Sequence, residues 1–349
     1  MTPGDRDPQQ KLPIAGDALA NVDSPNPPAS GNPRKKEFKR EPFRQTRRTG
    51  VQLYRTPDYL LIGHITADLQ PDGSVELGGT ALYSALTAAR LGARVAILTR
   101  GVFGAEVAGM KVPNLDILSE ENIQIVVQEA PVPTTFINVY QADRRIQTVP
   151  HWAGEIDLRG LPPHWRNTKV VHLGPIADEL DPRQCTGLTT QFLGVTPQGW
   201  MRDWPRQTGG KVQHIPLRLP GALLGRIDCA IVNIDEIPWA RDVVQRVGDR
   251  RLGVITQGAD GARIIAGGQK FELPGFKVPI KSLDGAGDVF AAAFFLKAAD
   301  RTVSAEKAGT FANAVAALSL SEIGAESVPH MKEVDALLAT GSRGLRPKT

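Results

Sequence analysis

Short apolar runs recur along the chain from position 58 onward: YLLIGHI at 59–65, RVAILT at 94–99, VVHLG at 170–174, QFLGVT at 191–196, CAIVNI at 229–234 and RLGVIT at 251–256. Their apolar residues are consecutive rather than alternating, as expected of strands buried on both faces. Helical stretches are predicted between and after them, at 80–91, 235–247, 286–299 and 304–321. This alternation predicts a mainly parallel sheet with helices on both sides, a three-layer α/β/α sandwich. Two regions break the pattern. Residues 68–78 place a Pro-Asp-Gly turn between short extended pieces, while 134–141 and 144–150 alternate in period two about an Ala-Asp turn. Both predict hairpins standing off the main sheet as a small β lid.

Composition narrows the class. A chain of 349 residues with 41% hydrophobic and 6% aromatic positions is globular, which excludes collagen-like, coiled-coil and wholly disordered chains. Two cysteines, Cys185 and Cys229, cannot build a disulfide framework, so a reducing, cytoplasmic setting is expected. Ten basic and six acidic residues among the first fifty account for the whole formal charge of +4. That stretch is rich in Pro, Gly, Asn, Asp and Gln and has no sustained period, so 1–50 is expected to be a disordered basic tail, 51–340 the folded body and 341–349 a flexible C terminus. The segment KKEFKREPFRQTRR could touch an anionic partner, but no nucleic-acid-binding motif accompanies it, and a solvated extension is the simpler reading. No secretory h-region and no run of about 18 apolar residues occurs, so no membrane span is expected.

Chemistry must come from an uncommon device, because the P-loop, G-x-G-x-x-G, H-E-x-x-H and paired C-x-x-C patterns are all absent. The segment KSLDGAGDVFAAAFFLKAA at 281–299 is the best candidate. Gly285, Ala286 and Gly287 precede Asp288 at the start of a helix that is apolar almost all round and therefore buried. Small residues expose backbone amides there, and those amides with the helix dipole make an anion site. A carboxylate in the first turn could take a proton from a hydroxyl approaching the same anion, which is what alcohol phosphorylation needs. Taken alone, the segment reads first as a Gly-rich turn with an acid favouring the dipole.

Context raises the weight of the functional reading. In order along the chain, LGGTALYSALTAARLGARVAILTRGVFG, AIVNIDE, VITQGADGA and GAGDVFAAAFF resemble the ribokinase-type PfkB carbohydrate kinase family over roughly 58–329. The resemblance implies ATP- and Mg²⁺-dependent phosphorylation of a hydroxyl on a small sugar, polyol or nucleoside. It makes Asp288 the base and Gly285, Ala286 and Gly287 the anion hole. Asn233 and Glu236 match the N-x-x-E segment that organises Mg²⁺, although Asn followed by Glu three residues later is also a helix-capping pattern. Thr256, Gly258 and Gly261 match a nucleotide-contacting turn, and Asn313 lies on a helix bordering the adenine pocket. For the acceptor, Asp68 matches a carboxylate that holds substrate hydroxyls, with Gly78, Gly79 and Thr80 beside it.

The departures are specific. Ser282 and Leu283 stand where the family has Asp-Thr, which puts monovalent-cation binding in doubt, and Thr80 stands where Asn is common. With the short first hairpin, these features look closer to an inositol-kinase-like branch. A non-catalytic scaffold on the same fold is the rival reading. Whether the lid is self-contained or completed by a second subunit in a homodimer stays open. None of the six histidines has metal-ligand spacing; His64 alone falls beside the acceptor loop.

Overall fold

The computed structural model describes residues 55–141, 144–276, 278–321 and 324–340. The expected basic tail at 1–50 and flexible terminus at 341–349 lie outside them. Nine strands form the main sheet in the order Gln269–Leu273, Ala262–Ala266, Leu252–Thr256, Cys229–Asn233, Phe192–Val195, Val170–Leu173, Tyr59–Ile62, Val95–Gly101 and Gln124–Glu129. All neighbours are parallel except at one edge, where Leu252–Thr256, Ala262–Ala266 and Gln269–Leu273 run antiparallel. The helices are α1 (Thr80–Arg90), α2 (Asp116–Glu120), α3 (Gly221–Leu224), α4 (Ile237–Arg250), α5 (Ala286–Ala298), α6 (Ala305–Ser319) and α7 (Met331–Thr340).

Pleating explains why the apolar runs are continuous. Tyr59 and Leu61 face one core, shared with residues of α1, α5 and α6, whereas Leu60 and Ile62 face a second core with Val243, Val244 and Val247 of α4 and with Trp165 and Trp200. In α5, every residue from Val289 to Phe295 is buried, and Phe294 and Phe295 are fully so. Each such phenyl contributes about 1.5–3 kcal/mol by leaving water, and this burial fixes where the N-terminus of α5 emerges.

Two boundaries differ from the sequence expectation. The helix expected from 235 opens instead as a 3₁₀ turn at Ile234–Glu236 and continues as α4 to Arg250. A proline at 238 suits the first α-turn, where an amide donor is not needed. The helix expected from 304 uses Ser304 as its cap, the hydroxyl accepting from Lys307 N at 3.3 Å.

The segments that broke the pattern pair into a second sheet of five strands, Gly210–Lys211, Arg144–His151, Thr135–Gln141, Thr66–Leu69 and Val75–Gly78. Its two hairpins meet in parallel at Leu69 and Ile137. Phe136 and Val149 of this sheet pack with Ile176, Ala177 and Trp204, so the sheet is seated by an apolar patch of its own.

Candidate active site

Gly285 caps α5 in the left-handed region, with φ +72°. A Cβ at this position would lie 2.3 Å from Cδ1 of Tyr83, so backbone conformation and packing both demand glycine. Gly287, one turn-step further, has no heavy atom within 4 Å of the place its Cβ would occupy. The space where a side chain would stand is open, and Gly287 lines the cleft. Ser84 Oγ donates to the backbone oxygen of Asp288 at 3.0 Å, tying α1 to the first turn of α5.

These groups face a cleft of about 580 Å³ lined by Asp288, Gly285, Gly287, Asp68, Gly78, Gly79, Thr80, Asn233, Glu236 and Thr256. Segments far apart in sequence thus converge on one space between the C-terminal ends of the main strands and the second sheet. Ala286 is not among the lining residues, and its amide makes a long 3.4 Å contact with Leu283 O. Gly258, Gly261 and Asn313 are also outside the lining; the Asn313 amide donates to Pro274 O at 3.3 Å.

The acceptor end is built by close approach. A Cβ on Gly78 would sit 2.8 Å from Oδ2 of Asp68, so glycine lets that carboxylate lie directly over the neighbouring strand. Tyr83 lines the same cleft, and its phenol is pushed up, first by burial and then by Asp284, Asp288, Asp68 and Glu76. The same carboxylates would repel free anions, so a polyphosphate entering here needs accompanying positive charge.

Asn233 and Glu236 make the capping arrangement that their spacing allows. Asn233 Oδ1 accepts from Asp235 N at 2.9 Å, and Glu236 Oε2 accepts from Asn233 N at 2.9 Å. Gln198 Nε2 donates to the other Glu236 oxygen at 3.0 Å. Capping does not exhaust the carboxylate's lone pairs, and both residues still line the cleft. Among the described residues no group of three or more His, Cys, Asp or Glu is arranged to hold a metal ion. The free lone pairs of Glu236 and Asn233 could hold a hydrated cation through its waters.

Four groups absent from the sequence reading help form the cleft: Thr196, Gln198, Asn138 and Arg202. Arg202 is buried and donates Nη1 to Ile176 O at 2.8 Å, with its guanidinium 5.3 Å from the centre of the Phe136 ring. Thr196 and Gln198 follow the strand Phe192–Val195 directly, and a polar residue closing an apolar run at the C-terminal end of a parallel strand is a readable signal.

Behind the acceptor loop, Glu179 is fully buried and accepts from the backbone amides of His64 at 2.8 Å, Ile176 at 3.0 Å and Ala177 at 2.7 Å. His64 itself is buried, bonded through Nδ1 to Thr134 Oγ1 at 2.8 Å, and held below the ordinary imidazole value by burial. It braces the loop and does not line the cleft. A larger cavity of about 990 Å³, lined by Arg100, Trp152, Arg159 and Arg166 among others, contains none of the candidate groups. Size alone does not identify the site; convergent chemistry does.

Sequence and structure comparisons bear on the fold and the family. The model of the pfkB family carbohydrate kinases matches residues 227–331. A ribokinase of Bacillus subtilis is 40% identical over 86 residues, 24% of this chain and 29% of its own length. An ATP-dependent ribose-1-phosphate kinase of Halopiger xanaduensis is 34% identical over 190 residues, 53% of this chain and 58% of its own. The chain thus spans between about a third and three fifths of these relatives. Among solved structures, a pyrophosphate-dependent kinase of the ribokinase family in complex with sulfate superposes with a TM-score of 0.64 at 21% identity, covering 80% of this chain and 99% of that one. A nucleoside kinase of Methanocaldococcus jannaschii gives 0.61 at 18% identity, over 82% of this chain and 100% of its own. At such identities the structures speak for the fold alone. The chain has the ribokinase-like fold, and its residues 227–331 match the model of the pfkB family of carbohydrate kinases.

Proposed function

We propose that this protein transfers the γ-phosphoryl group of ATP to a hydroxyl of a small sugar, polyol or nucleoside. The observation that carries the reading is the convergence in one cleft of Asp288, Gly287 with open space beside its Cα, and the Asp68–Gly78–Gly79–Thr80 loop. Asp288 would take the acceptor's hydroxyl proton on its carboxylate, while the first-turn amides of α5 and its dipole would hold the phosphoryl oxygens. Asp68 would hold acceptor hydroxyls, since one carboxylate accepts two such bonds. The second sheet would close over both substrates and exclude water, sparing ATP from hydrolysis.

Thr256 borders the cleft on the nucleotide side. Gly258, Gly261 and Asn313 would reach the nucleotide only beyond the cleft described, toward the adenine. Mg²⁺ would be held through its waters by Glu236 and Asn233, and when bound it neutralises charge on the phosphates. The curated relatives' names, one of them ATP-dependent, support a sugar acceptor and this donor. Features shared with an inositol-kinase-like branch keep cyclitols among the acceptors to be tried.

The test incubates the full chain with Mg²⁺ and ATP, or with pyrophosphate in place of ATP, against pentoses, pentose phosphates, inositols and nucleosides, and follows new phosphate esters by ³¹P NMR. Ester formation with at least one acceptor and ATP is expected. A chain that forms no ester with any acceptor is not the kinase proposed, and one that works with pyrophosphate alone has been assigned the wrong donor.

A further inference from the structure

A buried hydrogen-bonded chain leads from the core into the cleft. Tyr59 Oη lies 2.8 Å from Nδ1 of His172, and Nε2 of His172 lies 2.8 Å from Oγ1 of Thr196. Tyr59 and His172 have no exposed surface, and Thr196, 8% exposed, lines the cleft. The imidazole edge packs against Phe295 of α5 at 4.8 Å between ring centres. Burial holds His172 down at about 3, so the ring is neutral.

A neutral imidazole has one donor and one acceptor nitrogen, and the chain can run in only two directions. In one, Thr196 donates to Nε2 and Nδ1–H donates to Tyr59, which strands the phenolic proton. Among the described residues the Tyr59 hydroxyl has no other partner, and a buried donor left unpaired is costly. In the other, Tyr59 donates to Nδ1 and Nε2–H donates to Thr196 Oγ1. Every buried donor is then used, and the Thr196 proton is left for the cleft.

We propose that Thr196 presents its hydroxyl proton to a phosphate oxygen of the bound donor, with Tyr59 and His172 as positioning residues that fix its direction. The recipient follows from where Thr196 lies, and this step rests on the kinase reading. Thr196 ends the strand Phe192–Val195, which pairs with Cys229–Asn233 through Val195 and Ala230, and Gln198 on the same turn holds Glu236. Glu236 and Asn233, at the end of that neighbouring strand, are the residues assigned to Mg²⁺ and the phosphates, and they line the cleft with Thr196.

Two measurements test it. In ¹⁵N-histidine NMR of the wild-type protein, His172 should show an unprotonated Nδ1 and a protonated Nε2; an Nδ1–H tautomer overturns the proposed direction, and no variant has to fold for that result. Equilibrium binding of ATP and of pyrophosphate is then compared in Thr196→Ser and Thr196→Val. Serine should stay close to wild type, while valine should weaken both ligands by roughly ten- to hundredfold, the range for a hydrogen bond to a charged group. Valine binding as tightly as wild type overturns the assignment of a phosphate oxygen, as does a loss confined to the acceptor. A wild-type chain that binds neither ligand sinks the kinase reading itself, and the histidine tautomer still decides the direction.

Discussion

Gly285 and Gly287 stand two residues apart in the same turn, yet the structure predicts opposite consequences for replacing them with alanine. At Gly285, φ is +72° and the new Cβ would meet Cδ1, Cγ and Cε1 of Tyr83 at 2.3, 2.4 and 2.6 Å. The left-handed backbone costs an L-residue about 1–2 kcal/mol. Displacing the ring adds an overpacking cost of about 1–3 kcal/mol, because Tyr83 is only 6% exposed and has little room to yield. Gly285→Ala should therefore lose about 2–5 kcal/mol in urea unfolding, with an unchanged m-value. At Gly287 the methyl group meets nothing within 4 Å, and alanine is the better helix former by up to about 1 kcal/mol. Gly287→Ala should thus fold as well as wild type while weakening polyphosphate binding, because its methyl takes up open space at a residue that lines the cleft. Equal stability losses at the two positions, or a Gly287→Ala protein that binds ATP normally, would refute the reasoning.

Two further outcomes concern the scaffold under the cleft. His172 is neutral when folded, its value lowered from 6.5 to about 3 by burial, and His64 is shifted the same way. The unfolded chain takes up those protons first, so stability is complete above about pH 6.5 and is lost as pH falls, for His172 by about 1.4 kcal/mol per pH unit down toward 3; replacing His172 with Gln should flatten the measured slope by one proton. Glu179→Ala leaves the amides of His64, Ile176 and Ala177 without their acceptor, which should cost about 3 kcal/mol or more in unfolding and raise the KM for the acceptor more than that for ATP.

Much of the fold could be read from the sequence because its main strands are buried on both faces and α5 is apolar all round; burial of that kind writes continuous apolar runs. The strand Gln124–Glu129, at the edge of the sheet, was not expected, since its residues are mostly half-buried and mix polar with apolar. Gly210–Lys211 completes the second sheet with two residues, too few to set a period. In the site, Gly285 and Asp288 are neighbours and form a motif. Tyr59, His172 and Thr196 are separated by 113 and 24 positions, and only the packing of parallel strands brings them into line. Asn233 and Glu236 show the remaining ambiguity, because one spacing serves both a helix cap and a site at its end.

The central claim is that Asp288 takes the acceptor's proton. Asp288→Asn keeps the size and the α5 backbone but cannot accept that proton, and its phosphoryl-transfer rate can be measured beside its ATP affinity. The account predicts a fall in kcat of at least about 10²–10⁴ with ATP binding nearly unchanged. A variant that turns over near the wild-type rate would contradict it.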